Sequence, residues 1–166
     1  MIDLYLGETA VSLARMEACW RSLDASQLLQ IQNVRVEARS LIARVLVALG
    51  RGDEALRHAD ALEGEHVGWA NALAAMIRGL VEPDHEAGLR TALELFDENE
   101  MALFSATTRL RLGEVQGGDV GTANIRAANA WLKAQGVRNP QAMARMLSPR
   151  LPLPEGERVG ERANRG

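Results

Sequence analysis

Aromatic residues are scarce in this sequence, at 4%, and cysteine is nearly absent, with one residue in the whole chain, Cys19. A lone cysteine excludes an intrachain disulfide and points to a reducing, cytoplasmic setting. On the apolar side of a helix it is expected to be a small buried hydrophobe. Lysine is missing but for Lys133, so arginine carries almost all of the positive charge. No apolar run approaches the ~20 residues that a membrane span requires. The N-terminus also lacks a basic region followed by an apolar stretch, so a soluble, untargeted protein is expected. The net charge of -3 gives no global attraction for nucleic acid or an anionic membrane, and neither is expected as a partner.

What is present in quantity is Ala and Leu, which enter helices at little entropic cost, while β-branched runs are few. Apolar residues recur at helical spacing along most of the chain. From Ser26, read as an N-cap, Leu28, Ile31, Val34, Ala38, Leu41, Ile42, Val45 and Leu49 trace one face of a long helix. Gly50 and Gly52 are expected to end it, and Asp53 to start the next helix, "DEALRHADALE". Four further helices read as "EHVGWANALAAMIRGL", "DHEAGLRTALELFDE", "EMALFSATTRLRLGE" and "DVGTANIRAANAWLKAQ". Gly, Asn, Pro and Asp between them suit tight helix–helix connections.

The chain also resembles itself. "LVALGRGDEALRHA", "IRGLVEPDHEAGLRTA" and "LRLGEVQGGDVGTANIRAA" share one plan of helix end, turn, acidic start and small residue. Ala55, Ala87 and Gly121 are read as the small residues at each close crossing. A period near ~34 with two helices per unit is that of tetratricopeptide repeats. The expectation is an all-α, right-handed α-α superhelix of roughly three and a half helix pairs on that period. Its parts are an incomplete first repeat (1–24), repeats at 26–64, 65–98 and 100–136, and a capping helix at 139–147. Residues 1–149 form that domain, and "RLPLPEGERVGERANRG" (150–166) reads as a disordered tail. Residues 1–6 resemble the last turns of a helix whose body is missing, which implies the C-terminal piece of something longer, able to form a homodimer through the exposed repeat.

No catalytic constellation stands out. His58, His66 and His85 fit no metal-ligand spacing, and no cofactor is implied. "GGDVGTA" follows a helix and lacks the lysine of a phosphate loop; Gly117 and Gly118 read as a turn, with Asp119 as N-cap. Surface recognition is the better reading. Gln32, Arg35 and Arg39 form a polar stripe on the long helix, and Arg109 and Arg111 add charge further on. These five are the candidate partner-binding residues, placed on a concave groove where arginine forks would take a partner's carboxylates. Trp20, Trp69 and Trp131, one per helix pair, read as core wedges.

The segments "DLYLGETAVSLARMEACW", "LLQIQNVRVEARSLIARVLVAL", "MALFSATTRLRLGEVQGGDVG" and "AWLKAQGVRNPQAMARMLSP" together resemble one known region. It is the C-terminal tetratricopeptide-like part of large bacterial serine/threonine protein kinases, of the myxobacterial type. The resemblance covers about residues 1–149 and implies a non-catalytic interaction or regulatory module. Its partner would be a protein, a peptide, or upstream domains of a parent kinase. None of the kinase signature elements is in the sequence, so the resemblance carries no catalytic residue. The alternatives are an effector-sensing helical repeat of a large transcriptional activator, and an enzyme with an unrecognised site.

Overall fold

A computed structural model describes residues 2–150 and leaves 151–166 outside it, so the expectation of a disordered tail falls on residues that are not described. Among the described residues the chain is all-helical, without a strand. Its α-helices are α1 (Ile2–Leu6), α2 (Thr9–Ala25), α3 (Gln32–Ala48), α4 (Gly52–Glu63) and α5 (Gly68–Val81). They continue as α6 (His85–Glu98), α7 (Ala102–Gln116), α8 (Gly118–Ala134) and α9 (Pro140–Leu147). The helices pack as consecutive hairpins, α3 with α4, α5 with α6 and α7 with α8. Each hairpin also meets the next through α4 on α5 and α6 on α7.

Helix boundaries follow local chemistry and in three places differ from the sequence expectation. In one, Gly52, expected with Gly50 to end α3, instead opens α4 ahead of Asp53. Ser26 closes α2, with its N–H on the Ser22 carbonyl, and does not open α3. Gln27 turns the backbone left-handed (φ 59°), Leu28–Gln30 makes a single 3-10 turn, and α3 begins only at Gln32. Likewise Gly117 is the N-cap of α8, with Asp119 in the first turn, where its charge favours the positive helix end. After α8, Gly136 (φ 80°) lets Val137 and Gly136 donate to the Leu132 and Lys133 carbonyls, the αL closure that glycine adopts most readily. The same pair of bonds closes α6 at Glu100 (φ 57°) without a glycine. Asn139 caps α9 by accepting from the Ala142 N–H at 3.0 Å, with Pro140 in its first turn.

A continuous apolar core runs from α3 to α7 through Val36, Leu46, Leu62, Leu73, Ile77, Leu89 and Phe96. Burying each such side chain contributes about 1.5–3 kcal/mol. Within the hairpins, the close crossings are made by backbone. A Cβ built on Gly79 would lie 2.6 Å from the Gly88 backbone, and one on Gly113 would lie 2.6 Å from the Gly121 carbonyl. The crossing residue of the second hairpin is therefore Gly88, whereas Ala87 is exposed. With this correction Ala55, Gly88 and Gly121 each stand fourth in their helix.

The aromatic wedges are unequal. Trp20 and Trp69 are half-buried, but Trp131 is 36% exposed, because among the described residues no further hairpin covers the outer side of α8. Cys19 is exposed on α2, contrary to the buried position expected, because α2 packs on α3 over a far smaller contact than α4 makes with α5.

The glycine crossing gives a direct stability test. Gly88→Ala forces a methyl into the α5 backbone and is expected to cost about 1–3 kcal/mol. The Ala87→Gly change, one position away on the exposed side, should cost no more than about 1 kcal/mol, the usual helix penalty. Urea unfolding midpoints of the two variants measure the difference, and equal midpoints would refute the crossing.

Candidate functional site

The polar stripe on α3 is largely spent within the molecule. Arg35 donates through Nη2 to Glu65 at 2.6 Å and through Nη1 to the Leu29 carbonyl at 2.6 Å. Gln32 donates to the Glu65 backbone carbonyl at 2.9 Å. Glu65 thereby fastens the loop before α5 to the start of α3, and the Arg35 hydrogen bond holds its carboxyl below the ordinary range. Arg39 has a different environment. Its guanidinium stacks over the Trp20 ring at 5.5 Å, and its Nε has no hydrogen-bond partner among the described residues.

Of the two arginines on α7, Arg109 is half-buried and lines a shallow cavity of about 300 Å³ with Asp97 and Trp131. Arg111 is 4% exposed and belongs to the interior. Its Nε donates to the Ser148 carbonyl at 2.5 Å and its Nη1 to Glu114 at 2.8 Å. The five candidate residues thus do not share one surface. Arg35 and Gln32 brace a loop, Arg39 packs on a tryptophan, Arg109 borders a side cavity, and Arg111 holds the C-terminal segment.

That segment gathers the inner helices. The Ser148 hydroxyl lies 3.2 Å from each of Thr107 Oγ1, Thr108 Oγ1 and Met76 Sδ. Arg44, fully buried on α3, donates from Nη1 to the Met146 carbonyl at 3.3 Å and from Nε to the Ser40 carbonyl at 3.2 Å. Its guanidinium also sits 5.5 Å from the Phe104 ring centre. Burial lowers the pKa of the Arg44 group to about 10, although Glu37 opposes that shift. Residues from α3, α5 and α7 therefore converge on 146–148. The short helix α9 does not simply lie over the last hairpin: it packs on α7 and on α1 more than on α8. Arg150, assigned to the tail from sequence, is fixed on Glu114 through Nε at 2.7 Å.

The open feature lies at the opposite end. An apolar groove of about 540 Å³ runs between α2 and α3, walled by Met16, Trp20, Leu23, Val34, Leu41 and Ile42, with Cys19 and Glu37 also on its lining. Sequence reasoning counted most of these residues as core. The missing signal was the left-handed break at Gln27, after which α2 and α3 make far less contact than the hairpin helices do. The only warning in sequence was that α2 carries the polar Ser12, Glu17 and Arg21 among its apolar positions.

The histidines are dispersed. His85 Nδ1 lies 2.9 Å from the Gly79 carbonyl, and His66 is exposed at a left-handed turn (φ 55°). Among the described residues no three His, Cys, Asp or Glu side chains come together as a metal would require. His58, half-buried on α4, meets Trp20 edge-on at 6.5 Å and has no partner for Nδ1 among the described residues. Desolvation lowers its pKa, with Arg39 acting in the same direction and Glu54 against it.

That environment predicts a pH effect on stability. The folded protein resists charging His58, so the unfolded chain binds the proton more readily. The stability contribution is full above the ordinary histidine value of 6.5 and is lost as pH falls below it. The Glu65 contribution is lost only as pH falls through the carboxylate range, below its ordinary 4.5. Urea midpoints should therefore fall between about pH 7.5 and about pH 5, and His58→Phe should flatten that fall. An unchanged slope in His58→Phe would assign the effect elsewhere.

No helix of the described chain is long and apolar enough to cross a membrane. Comparison with protein-family models, with curated proteins and with solved structures finds no match for this chain.

Proposed function

We propose that this chain is a tetratricopeptide-like, right-handed α-α solenoid and serves as a non-catalytic protein-interaction module. The observation that carries the reading is the recurrence of Ala55, Gly88 and Gly121, all at least partly buried, at the fourth position of every second helix. The step of 33 residues recurs, with a close backbone crossing at Gly88 and Gly121 and a fully buried Ala55 at the equivalent place, in keeping with stacked repeats. Its resemblance to the C-terminal repeats of bacterial serine/threonine kinases supplies a context: regulation of a kinase by a partner or by the kinase's own upstream domains.

The binding surface in this reading is the groove between α2 and α3, and its occupant is an amphipathic helix of a protein partner. Inside the stack, α5 and α7 are each covered by the helix before them, α4 and α6. On α3 the corresponding side is only partly covered by α2, which leaves the apolar walls of Trp20, Val34, Leu41 and Ile42 accessible. A helix with apolar residues at i, i+3, i+4 and i+7 fits such a groove. Glu37 on the lining favours a basic residue beside that apolar stripe.

Selection from a displayed library of amphipathic helices tests this reading. The native chain should enrich sequences with an apolar stripe flanked by Arg or Lys, and Leu41→Glu should abolish the enrichment. Recovery of the same sequences by Leu41→Glu, or of none by the native chain, would reject the groove.

Self-association is a second reading, favoured by large apolar side chains exposed in the first helices. Ile2 is 73% exposed and Leu6 61%. Sedimentation equilibrium should then show a dimer that Ile2→Asp with Leu6→Asp dissociates. A monomer at all concentrations would remove this reading and leave the heterologous partner.

A further inference from the structure

Both described ends of the chain meet at one cavity of about 350 Å³. Its lining brings together Thr9 at the start of α2, Arg111 on α7, Gln141 and Arg145 on α9, and Arg150 beyond it. Leu4, Ala48 and Pro149 make an apolar portion of the wall. Three guanidiniums therefore border one small space, and among the described residues only Glu114 pairs with any of them. Glu114 takes Arg111 Nη1 at 2.8 Å and both Arg150 Nε and Nη2. Arg145 has no carboxylate among the described residues and donates only to the Tyr5 carbonyl at 3.3 Å. Arg111 is held through Nε and Nη1, and its Nη2 has no acceptor among the described residues. The nearby Asp3 carboxylate is committed to Arg15 at 2.6 Å.

Three like charges do not gather around a single carboxylate without cost. The formal excess is two positive charges; of the three groups only Arg111 is shielded from solvent, while Arg145 and Arg150 stand at the open side. The N-terminus of α2 adds to it: Thr9 opens that helix, and its N-cap Glu8 makes no side-chain cap. A helix start with free N–H groups adds partial positive charge in the same direction. The donors are of the kind that hold a doubly charged oxyanion: planar guanidinium forks, a side-chain amide and a hydroxyl.

We infer that this cavity binds a dianionic phosphate group carried on a small organic molecule. The phosphate meets Arg111, Arg145 and Arg150, and the organic body lies against Leu4, Ala48 and Pro149. The volume supports the second half of the assignment, since it falls within the range of small-molecule pockets. Such a ligand would bridge α1 and α2 to α9, so its binding is linked to the docking of the C-terminal segment. The inference stands on a different surface from the groove between α2 and α3 and does not depend on it.

Calorimetric titration of the full chain at constant ionic strength tests the assignment, with inorganic phosphate and O-phosphoserine as probes and chloride as the control. Saturable binding with one site is expected for both, tighter for O-phosphoserine if the apolar wall receives the organic body. Arg145→Gln should weaken it by about tenfold, the loss of one charge-assisted hydrogen bond. Arg126→Gln, exposed on α8 and away from the cavity, should bind like the native chain. Inorganic phosphate bound at least as tightly as O-phosphoserine would overturn the organic body. Absence of saturable binding by either probe, or equal affinity in Arg145→Gln, would overturn the site. Arg145 is exposed and its single bond is long, so this variant is expected to fold, and its circular dichroism and urea midpoint check that it does.

Discussion

The contact of backbone on backbone at Gly79 and Gly88 sets the geometry on which the rest depends. With no Cβ between them, α5 and α6 approach more closely than any side chain would permit, and Gly113 and Gly121 repeat this between α7 and α8. Tight hairpins leave little room for variation in how one stacks on the next. Arg44 on α3, Met76 on α5 and Thr107, Thr108 and Arg111 on α7 are consequently brought to residues 146–148. A bulkier crossing residue would widen a hairpin and separate these groups, so a packing constraint in the outer helices is also what forms the inner site.

The segment held there answers an electrostatic problem as well as a packing one. Arg44 is fully buried and no carboxylate pairs with it among the described salt bridges. An isolated buried cation costs several kcal/mol, on the order of the whole stability of a small domain. Its relief comes from the Met146 carbonyl near the C-terminal end of α9, from the Ser40 carbonyl and from the face of Phe104. Arg111 approaches the same end through the Ser148 carbonyl. A helix C-terminus carries partial negative charge, so two cations and that end stabilise one another. The docking of α9 is for this reason part of the fold and more than a cover for apolar surface, since its departure would leave both guanidiniums short of acceptors.

Much of the architecture was legible in the sequence because it rests on local chemistry. Helical periodicity and the Gly, Asn and Pro breaks that set off a short helix at 139–147 are short-range features, and the structure has helices where they indicate them. Where reading by spacing failed, the deciding fact was non-local. Ala87 and Gly88 are adjacent small residues, and only the position of α5 decides which one faces it. Ser26 is a good helix start by type, yet the left-handed Gln27 turns it into the end of α2. Arg35 and Arg111 look alike as exposed charges, but one reaches back to Glu65 and the other is enclosed by a segment far along the chain. The candidate surfaces were least legible, since a groove is defined by what fails to pack. Residues such as Leu41 and Cys19 read the same whether a neighbour covers them or stands off.

The two surfaces singled out here are connected through the helices between them. The first helices are held to the stack by Trp20 against Arg39 and His58, by Leu13 against the core and by α1 against α9, while the Asp3–Arg15 pair ties α1 to α2. The rest of α2 is largely exposed, so little apolar burial resists its movement, and elements with few buried contacts are those that open locally at low free energy. The groove lies under α2, and the arginine-lined cavity lies at its first residue, Thr9. Occupying the cavity would anchor α2 at one end, which reduces the freedom with which its other end adjusts to a helix entering the groove. A ligand of this kind changes affinity at the groove only by the difference in its binding to the two positions of α2. The physical link between the sites is therefore a single, lightly held helix, and no change in the glycine-locked hairpins is needed to carry it.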